Sequence, residues 1–381
     1  MIQSNTFCDH ERRTRVLIAF KPNKMRSKRA YLAVFAILMG STCALSQDKP
    51  QDDTIKVNTL LVSVPTIVSD RNGRYVPNLN EKNFQVFQDG QKQNIEFFAA
   101  TEEPINVALL IDTSQSTRGV IDDIRDSAKS FVKVLTAKDK AMIVTFDYDT
   151  HVLCPLTSDQ DELRRAIGNA DIPPRGMVGT TLRDAVYQTI NQTFTGLKGR
   201  KAIILLTDGK DAGSRINTQS LLYSLQESDT LVYTVMFTTK DGQQRQAPPP
   251  FEFPGRGGGR MGRGGGGVFG GRFPNPRQEQ RQQQQEQRRK QQQQRQEAQN
   301  EMAAEFLQQL SDTTAGRAFS SKDGKLKKTF ASIVEELRYQ YRLGFYPPDD
   351  NTAGALHQIK VKVDKTDAVV RSRGTYRVQS K

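Results

Sequence analysis

Ile105-Asn-Val-Ala-Leu-Leu-Ile111-Asp112-Thr-Ser114-Gln-Ser116 is the stretch on which the fold of this 381-residue chain turns. Val107 to Ile111 are apolar without a break. Such a run is the pattern of a strand covered on both faces, as in a parallel sheet between helix layers. It stops on one carboxylate and two hydroxyls at alternate positions, Asp112, Ser114 and Ser116. The carboxyl ends of strands are where open α/β sheets hold their ligands. A helix cap is the simplest use of these side chains, since Ser and Asp both cap well. Three oxygen donors in five residues exceed the need of one cap, which raises the possibility of a bound cation.

Outward from this stretch, strands and helices alternate. Val120, Ile121, Ile124, Ala128, Phe131, Val132 and Leu135 recur at helical spacing and predict an amphipathic helix on a sheet. Strands are expected at Ala141 to Phe146, Val152 to Leu156, Ala202 to Leu206 and Leu231 to Phe237. Helices are expected at Leu163 to Ile167, from Leu182 to Ile190 and at Leu221 to Leu225, with a Pro/Gly-rich loop at residues 172–179. This alternation implies right-handed crossovers and a mainly parallel sheet. Ahead of it, residues 52–101 read as a β unit with tight turns at Asn72-Gly73 and Asp89-Gly90. Pro65 points to an edge or a bend there. The pattern breaks at Lys240. A Gly/Pro/Arg-rich segment is expected to be disordered, and a Gln/Arg tract at residues 278–299 to be partly helical, running into a helix at Glu301 to Leu310. A short strand at Ala318-Phe319 and a last helix from Leu326 to Leu337 follow. Tyr339 to Tyr346, Gln358 to Val363 and Val369 to Val378 read as closing strands that pair with the first β unit in a small sandwich. The divisions are residues 1–46, 52–101, 104–345 with a low-complexity insert at 241–300, and 346–381.

The net charge of +13 invites a nucleic-acid reading, but its location argues against one. Residues 1–46 carry eight Lys/Arg and two Asp/Glu, residues 240–300 carry twelve and five, and these two segments hold the whole excess. A nucleic-acid-binding domain would gather its cations on a folded face. The first segment resembles an export signal: Lys24, Arg26, Lys28 and Arg29 precede an apolar run from Tyr31 to Met39 and a small-residue cleavage site at Ala44-Leu45-Ser46. Met25 is a second candidate start. An uncleaved anchor is the alternative, although this run is shorter than the ~20 residues of a membrane span. The expected location is periplasmic or extracellular. Cys8 and Cys43 fall in the leader, which leaves Cys154 without an intrachain partner. Cys43 as a lipidation site lacks a large aliphatic residue upstream.

Two further segments carry the same oxygen chemistry. Thr207-Asp208-Gly209 ends a second buried strand, and Thr180 sits in a Gly-Thr-Thr loop before a helix. Oxygen donors from three loops suit a hard cation, Mg2+ first, with Mn2+ or Ca2+ as alternatives. Outside the leader, His151 and His357 are the only histidines, too few for a nitrogen-rich metal site. Asp112-x-Ser114-x-Ser116, Thr180 and Thr207-Asp208-Gly209 resemble the metal-ion-dependent adhesion site of the von Willebrand factor type A domain. The flanks resemble a secreted bacterial subgroup of that family, through Phe84, Val86, Asp89 and Gly90 and through Tyr341 to Pro348. The resemblance implies a Rossmann-like sheet flanked by helices, direct metal ligation by Ser114, Ser116 and Thr180, and Asp112 and Asp208 acting partly through water. It also implies a protein partner whose Asp or Glu completes the coordination. Asp147, Asp149 and Asp211 read as solvated loop carboxylates and Asp184 as an early-helix charge favoured by the dipole.

No Ser-His-Asp arrangement and no phosphate-binding loop is found in the sequence, which argues against an enzyme. The chain is therefore expected to be an exported, metal-dependent binding module. The alternative is a structural or assembly protein of the cell envelope that acts through its Gly/Arg/Gln-rich insert without metal. An RNA-binding role for that insert ranks below both.

Overall fold

The apolar run forms a strand that is buried at every position from Ile105 to Asp112 (β5). It lies inside a six-stranded sheet in a computed structural model that describes residues 61–100, 103–237, 276–321, 326–348 and 352–378. The leader and the Gly/Pro/Arg-rich part of the insert lie outside the described residues. The earlier strands in chain order are β1 (Val62–Ser69), β2 (Phe84–Gln88), β3 (Gln91–Gln93) and β4 (Phe97–Ala99). After β5 come β6 (Lys140–Phe146), β7 (Thr150–Thr157), β8 (Arg200–Thr207), β9 (Leu231–Met236) and β10 (Ala318–Ser320). The sheet order is β10-β9-β8-β5-β6-β7. All neighbours run parallel except the edge pair β6 and β7. The mainly parallel sheet expected from the sequence is therefore present, with one antiparallel edge.

Helices cover both faces. Along β5, Val107, Leu109 and Ile111 enter one core and Ala108 and Leu110 the other, as strand alternation requires. The first core is closed by α1 (Ile121–Val132), α2 (Gln160–Gly168) and a late helix, Leu326–Arg338. The second is closed by α3 (Leu182–Gln188), α4 (Thr218–Glu227) and the end of α5 (Pro276–Thr314). The late helix is α6. The Gln/Arg tract and the expected helix beyond it are thus one element, α5. The chain leaves β5 towards β6 on one side and returns to β8 on the other. Such a reversal opens a crevice at the carboxyl ends of the two strands.

The flanking strands build two four-stranded antiparallel sheets. Their orders are β13-β1-β11-β4 and β14-β12-β2-β3, where β11 is Tyr341–Phe345, β12 Leu356–Val363, β13 Val369–Ser372 and β14 Thr375–Arg377. Val64, Phe84, Val86, Leu343, Phe345 and Tyr376 share the core between them. Pro65 faces Arg342 of β11, while pairing with β13 begins only at Thr66, so the missing N–H falls where the other edge is open. The expected single strand from Val369 to Val378 is instead broken at Arg373-Gly374, and its halves join different sheets. Arg373 is buried at the break and donates to the carbonyls of Ser63 (2.5 Å) and Ser228 (2.8 Å). Those contacts tie the sandwich to the α/β body.

Close backbone approach explains one glycine. At the end of α5 the Gly316 N–H reaches back to the Ser311 carbonyl at 2.9 Å, and Ala315 takes a left-handed φ of 65°, the geometry of a Schellman cap. A Cβ on Gly316 would stand 1.9 Å from the Val232 carbonyl oxygen. The nearest atoms are all backbone of Val232, which leaves no cheap relief. Gly316→Ala is expected to cost about 1–3 kcal/mol in urea unfolding.

Candidate metal centre

Adjacent parallel strands bring two of the three sequence motifs together. Ile111 pairs with Leu206, so β5 and β8 end side by side on Asp112 and Thr207. Thr207 Oγ1 donates to Asp112 Oδ2 at 2.6 Å and accepts the Gly209 N–H at 2.9 Å. Asp112 Oδ1 accepts the Ser114 N–H at 2.9 Å. Both carboxylate oxygens are therefore fixed, and the side chain is fully buried.

The cap reading of Ser114 fails on inspection. Ser114 does precede a 3-10 turn, Gln115–Gly119, but its side chain makes no capping bond there. Ser114 Oγ instead lies 3.1 Å from Ser116 Oγ. Thr117 supplies the local bonds, donating to the carbonyls of Asp112 (3.0 Å) and Ser114 (2.8 Å).

Thr180 is held to both neighbouring strand ends through its loop. Its carbonyl accepts the N–H groups of Ala212 (3.1 Å) and Gly213 (3.0 Å), which follow Asp208, and the Thr181 N–H donates to the Asp147 carbonyl (2.7 Å). Asp147 in turn follows Phe146, the partner of Asp112 in the sheet. These bonds use the backbone of Thr180 and Thr181, not the Thr180 hydroxyl. The three motifs expected to share a site thus come from loops bonded to one another at one edge of the sheet.

Several carboxylates differ from the sequence reading. Asp147 is buried and accepts from Thr113 Oγ1 at 3.1 Å and from the Asp149 N–H at 3.2 Å. Asp184 is buried and accepts the N–H groups of Arg215 (3.0 Å) and Ile216 (2.9 Å), so it braces a loop more than it serves its helix. Asp211 takes Ser214 Oγ at 2.6 Å and the Arg183 N–H at 2.9 Å. Each of these acceptors stabilises a loop that carries a site residue. Asp149 is exposed, as expected.

Burial makes the ionised form of Asp112 unfavourable. Burial pushes the Asp112 carboxyl up to about 6, hydrogen bonds from Ser114 and Thr207 pull against it, and the charge of Asp208 adds to the rise. Asp208 is itself buried, and Lys210 Nζ meets its Oδ2 at 2.9 Å. Sequence reasoning passed over Lys210, although it is only two residues from Asp208.

A hard divalent cation fits this donor set. Neighbouring oxygens in an octahedral Mg2+ shell lie about 3.0 Å apart for bonds of about 2.1 Å, close to the 3.1 Å between the two serine hydroxyls. A dication would also add to Lys210 in answering the charge of two buried carboxylates. Among the described residues no group of three His, Cys, Asp or Glu could hold a metal, so hydroxyl oxygens must contribute to any such site.

Residues 106–247 match the profile of the von Willebrand factor type A domain. The chain carries a type A domain. Similar solved structures include an aerotolerance-related membrane protein from Bacteroides fragilis, 20% identical, covering 61% of this chain and 98% of that one with a TM-score of 0.39. A second is the von Willebrand factor domain of the type V pili tip protein Mfa5 from Porphyromonas gingivalis, 24% identical, with 29% and 39% covered and a TM-score of 0.26. A third is proximal thread matrix protein 1 of the mussel byssus with a zinc-occupied MIDAS motif, 18% identical, with 38% of each chain covered and a TM-score of 0.33. No curated protein matches the chain.

Proposed function

We propose that this type A domain is an exported binding module that captures an acidic side chain of a protein partner through a divalent cation. The observation that carries the reading is the buried Asp112 carboxylate beside Asp208, with the Ser114 and Ser116 hydroxyls 3.1 Å apart at the same strand end. Ser114, Ser116 and Thr180 would hold the ion, with Asp112 and Asp208 supplying the negative charge. The bound cation supplies Lewis acidity toward an outside carboxylate. The chain's own contribution is to orient the hydroxyls and to fix both oxygens of the Asp112 carboxylate through Thr207 and the Ser114 N–H. Nothing in this recognition calls for a catalytic group.

The rim suits a protein partner. Tyr148, Met177 and Val178 are exposed large side chains in the loops that carry Asp147 and Thr180, and Val178 is 80% exposed. Exposed apolar side chains beside a polar anchor are typical of interaction surfaces. Export rests on the leader, and no helix among the described residues is long and apolar enough to cross a membrane.

Calorimetric titration with Mg2+ and Mn2+ tests the reading. One site per chain is expected, and Thr180→Ala should weaken it at least about tenfold, the scale on which a lost coordination partner is felt. No heat from the wild-type chain would sink the proposal.

A further inference from the structure

The direction of α5 places half of it beside the proposed metal site. Thr314, at its carboxyl end, accepts the Val232 N–H at the start of β9 (2.9 Å). One layer higher, the Leu307 carbonyl accepts Thr234 Oγ1 (3.3 Å). Higher again, a Cβ built on Gly209 would meet Ala303 Cβ at 2.9 Å, one residue beyond Asp208. α5 therefore runs antiparallel to the strands and passes the site's level at Ala303. At 1.5 Å per residue, the stretch from Gln280 to Ala303 reaches about 35 Å beyond the carboxyl edge of the sheet. It extends on the side from which a partner of the metal site would arrive.

The composition of that stretch changes at the sheet edge. Ala303, Leu307 and Leu310 face the core. Read back at steps of three and four, the same helix face continues as Asn300 and Gln296, both half-buried, and then Gln292, Arg289 and Gln285, all exposed. Arg281, Arg288 and Arg295 recur every seven residues and so share a second stripe that drifts by only ~20° per repeat. Arg288, Arg289 and Lys290 make a cationic belt, of which Lys290 is paired with Glu286 at 2.9 Å. A polar helix in water gains little from propensity alone, and a wall of amides and guanidinium groups is chemically matched to a polar, anionic counterpart.

We propose that the projecting part of α5 is a second contact surface of the same binding site, and that it takes an acidic polypeptide segment of the partner. This rests on the metal-dependent reading above. Arg288 and Arg289 would pair with Asp or Glu side chains flanking the carboxylate that reaches the cation, and the glutamine amides would bond to peptide groups. A carboxylate of the same partner already reaches the proposed cation, which favours an acidic polypeptide over a nucleic acid as the occupant.

Fluorescently labelled polyglutamate, titrated into the full chain with Mg2+ and with chelator, tests this. Wild type should bind it more tightly with Mg2+. The double variant Arg288→Glu/Arg289→Glu should weaken that binding about tenfold or more while leaving the Mg2+ titration unchanged. Arg288→Gln/Arg289→Gln, which keeps good helix formers, should weaken it less but in the same direction. Unchanged polyglutamate affinity in both variants, no binding by wild type, or tighter binding of an oligo-dT strand would overturn the proposal. A silent Mg2+ titration combined with binding that still depends on Arg288 and Arg289 would sink the metal reading and keep the α5 surface.

Discussion

Asp112→Asn is expected to make the metal-free chain more stable and at the same time to lower its Mg2+ affinity about 100-fold. The carboxylate is fully buried and its proton affinity is raised to about 6 by that burial and by Asp208. At about 1.4 kcal/mol per tenfold change, a rise of this size means that the ionised group opposes folding above pH 6. Asparagine keeps the shape and an acceptor for the Ser114 N–H, so a net gain on the order of 1–2 kcal/mol is expected after the weaker bond to Thr207 is counted. The pH window follows from the sign of the shift. A folded-state carboxyl that holds its proton up to about 6, against 3.8 when unfolded, favours folding as pH falls through 6 towards 4. The advantage of the variant should therefore be largest at pH 7 and vanish near pH 4. Urea unfolding of both proteins in chelator at the two pH values measures it. A variant less stable than wild type at pH 7 would mean that the carboxylate is there for the fold and not for a ligand.

Glu336→Ala should be the most damaging single change outside the glycines, with a loss of about 3–5 kcal/mol. Glu336 is 1% exposed on α6 and receives Tyr75 OH at 3.1 Å, Tyr233 OH at 2.8 Å and the guanidinium of Arg371, with Arg317 at 3.5 Å. These partners belong to the connection after β1, to β9, to β13 and to the residue before β10. One carboxylate thus joins the sandwich to both the sheet and the last helix of the α/β body. Alanine would leave Arg371 without its counter-charge and the Tyr233 hydroxyl buried without an acceptor. Burial, the largest cause, holds the Tyr233 hydroxyl well above its ordinary proton affinity and survives the loss of Glu336, so the phenol does not substitute as an anion. Glu336→Gln keeps one acceptor and should cost less. Thermal unfolding of the three proteins checks the order, and a loss below about 1 kcal/mol for alanine would contradict the joint.

What could be read from the sequence divides along the range of the interactions concerned. The run from Val107 to Ile111 was legible because a strand covered on both faces leaves no polar position to disguise it. The stripe Leu326, Phe330, Ile333, Val334 and Leu337 was legible for the matching reason in a helix, and all five are buried. Nothing local announces the partners of Glu336, which lie in four separate stretches of the chain. Asp184 looked like a solvated first-turn charge because its two N–H donors are about thirty residues further on. The break at Arg373 was hidden for the same reason: its guanidinium reaches carbonyls of Ser63 and Ser228, far off in sequence. Asp112, Ser114, Ser116, Thr180 and Asp208 stood out only as a set, since each alone is an ordinary cap or loop residue. Lys210 belonged to no pattern and was found by geometry.

Whether Asp112, Ser114, Ser116, Thr180 and Asp208 hold one divalent cation is tested most directly by the electron paramagnetic resonance of Mn2+. Free Mn2+ gives a sharp six-line signal that is lost on binding to a protein. Titrating the purified chain should remove one equivalent of that signal, Mg2+ should restore it, and Asp112→Asn should leave it close to its free intensity. An undiminished signal with wild type, or the same loss with wild type and variant, would contradict the assignment.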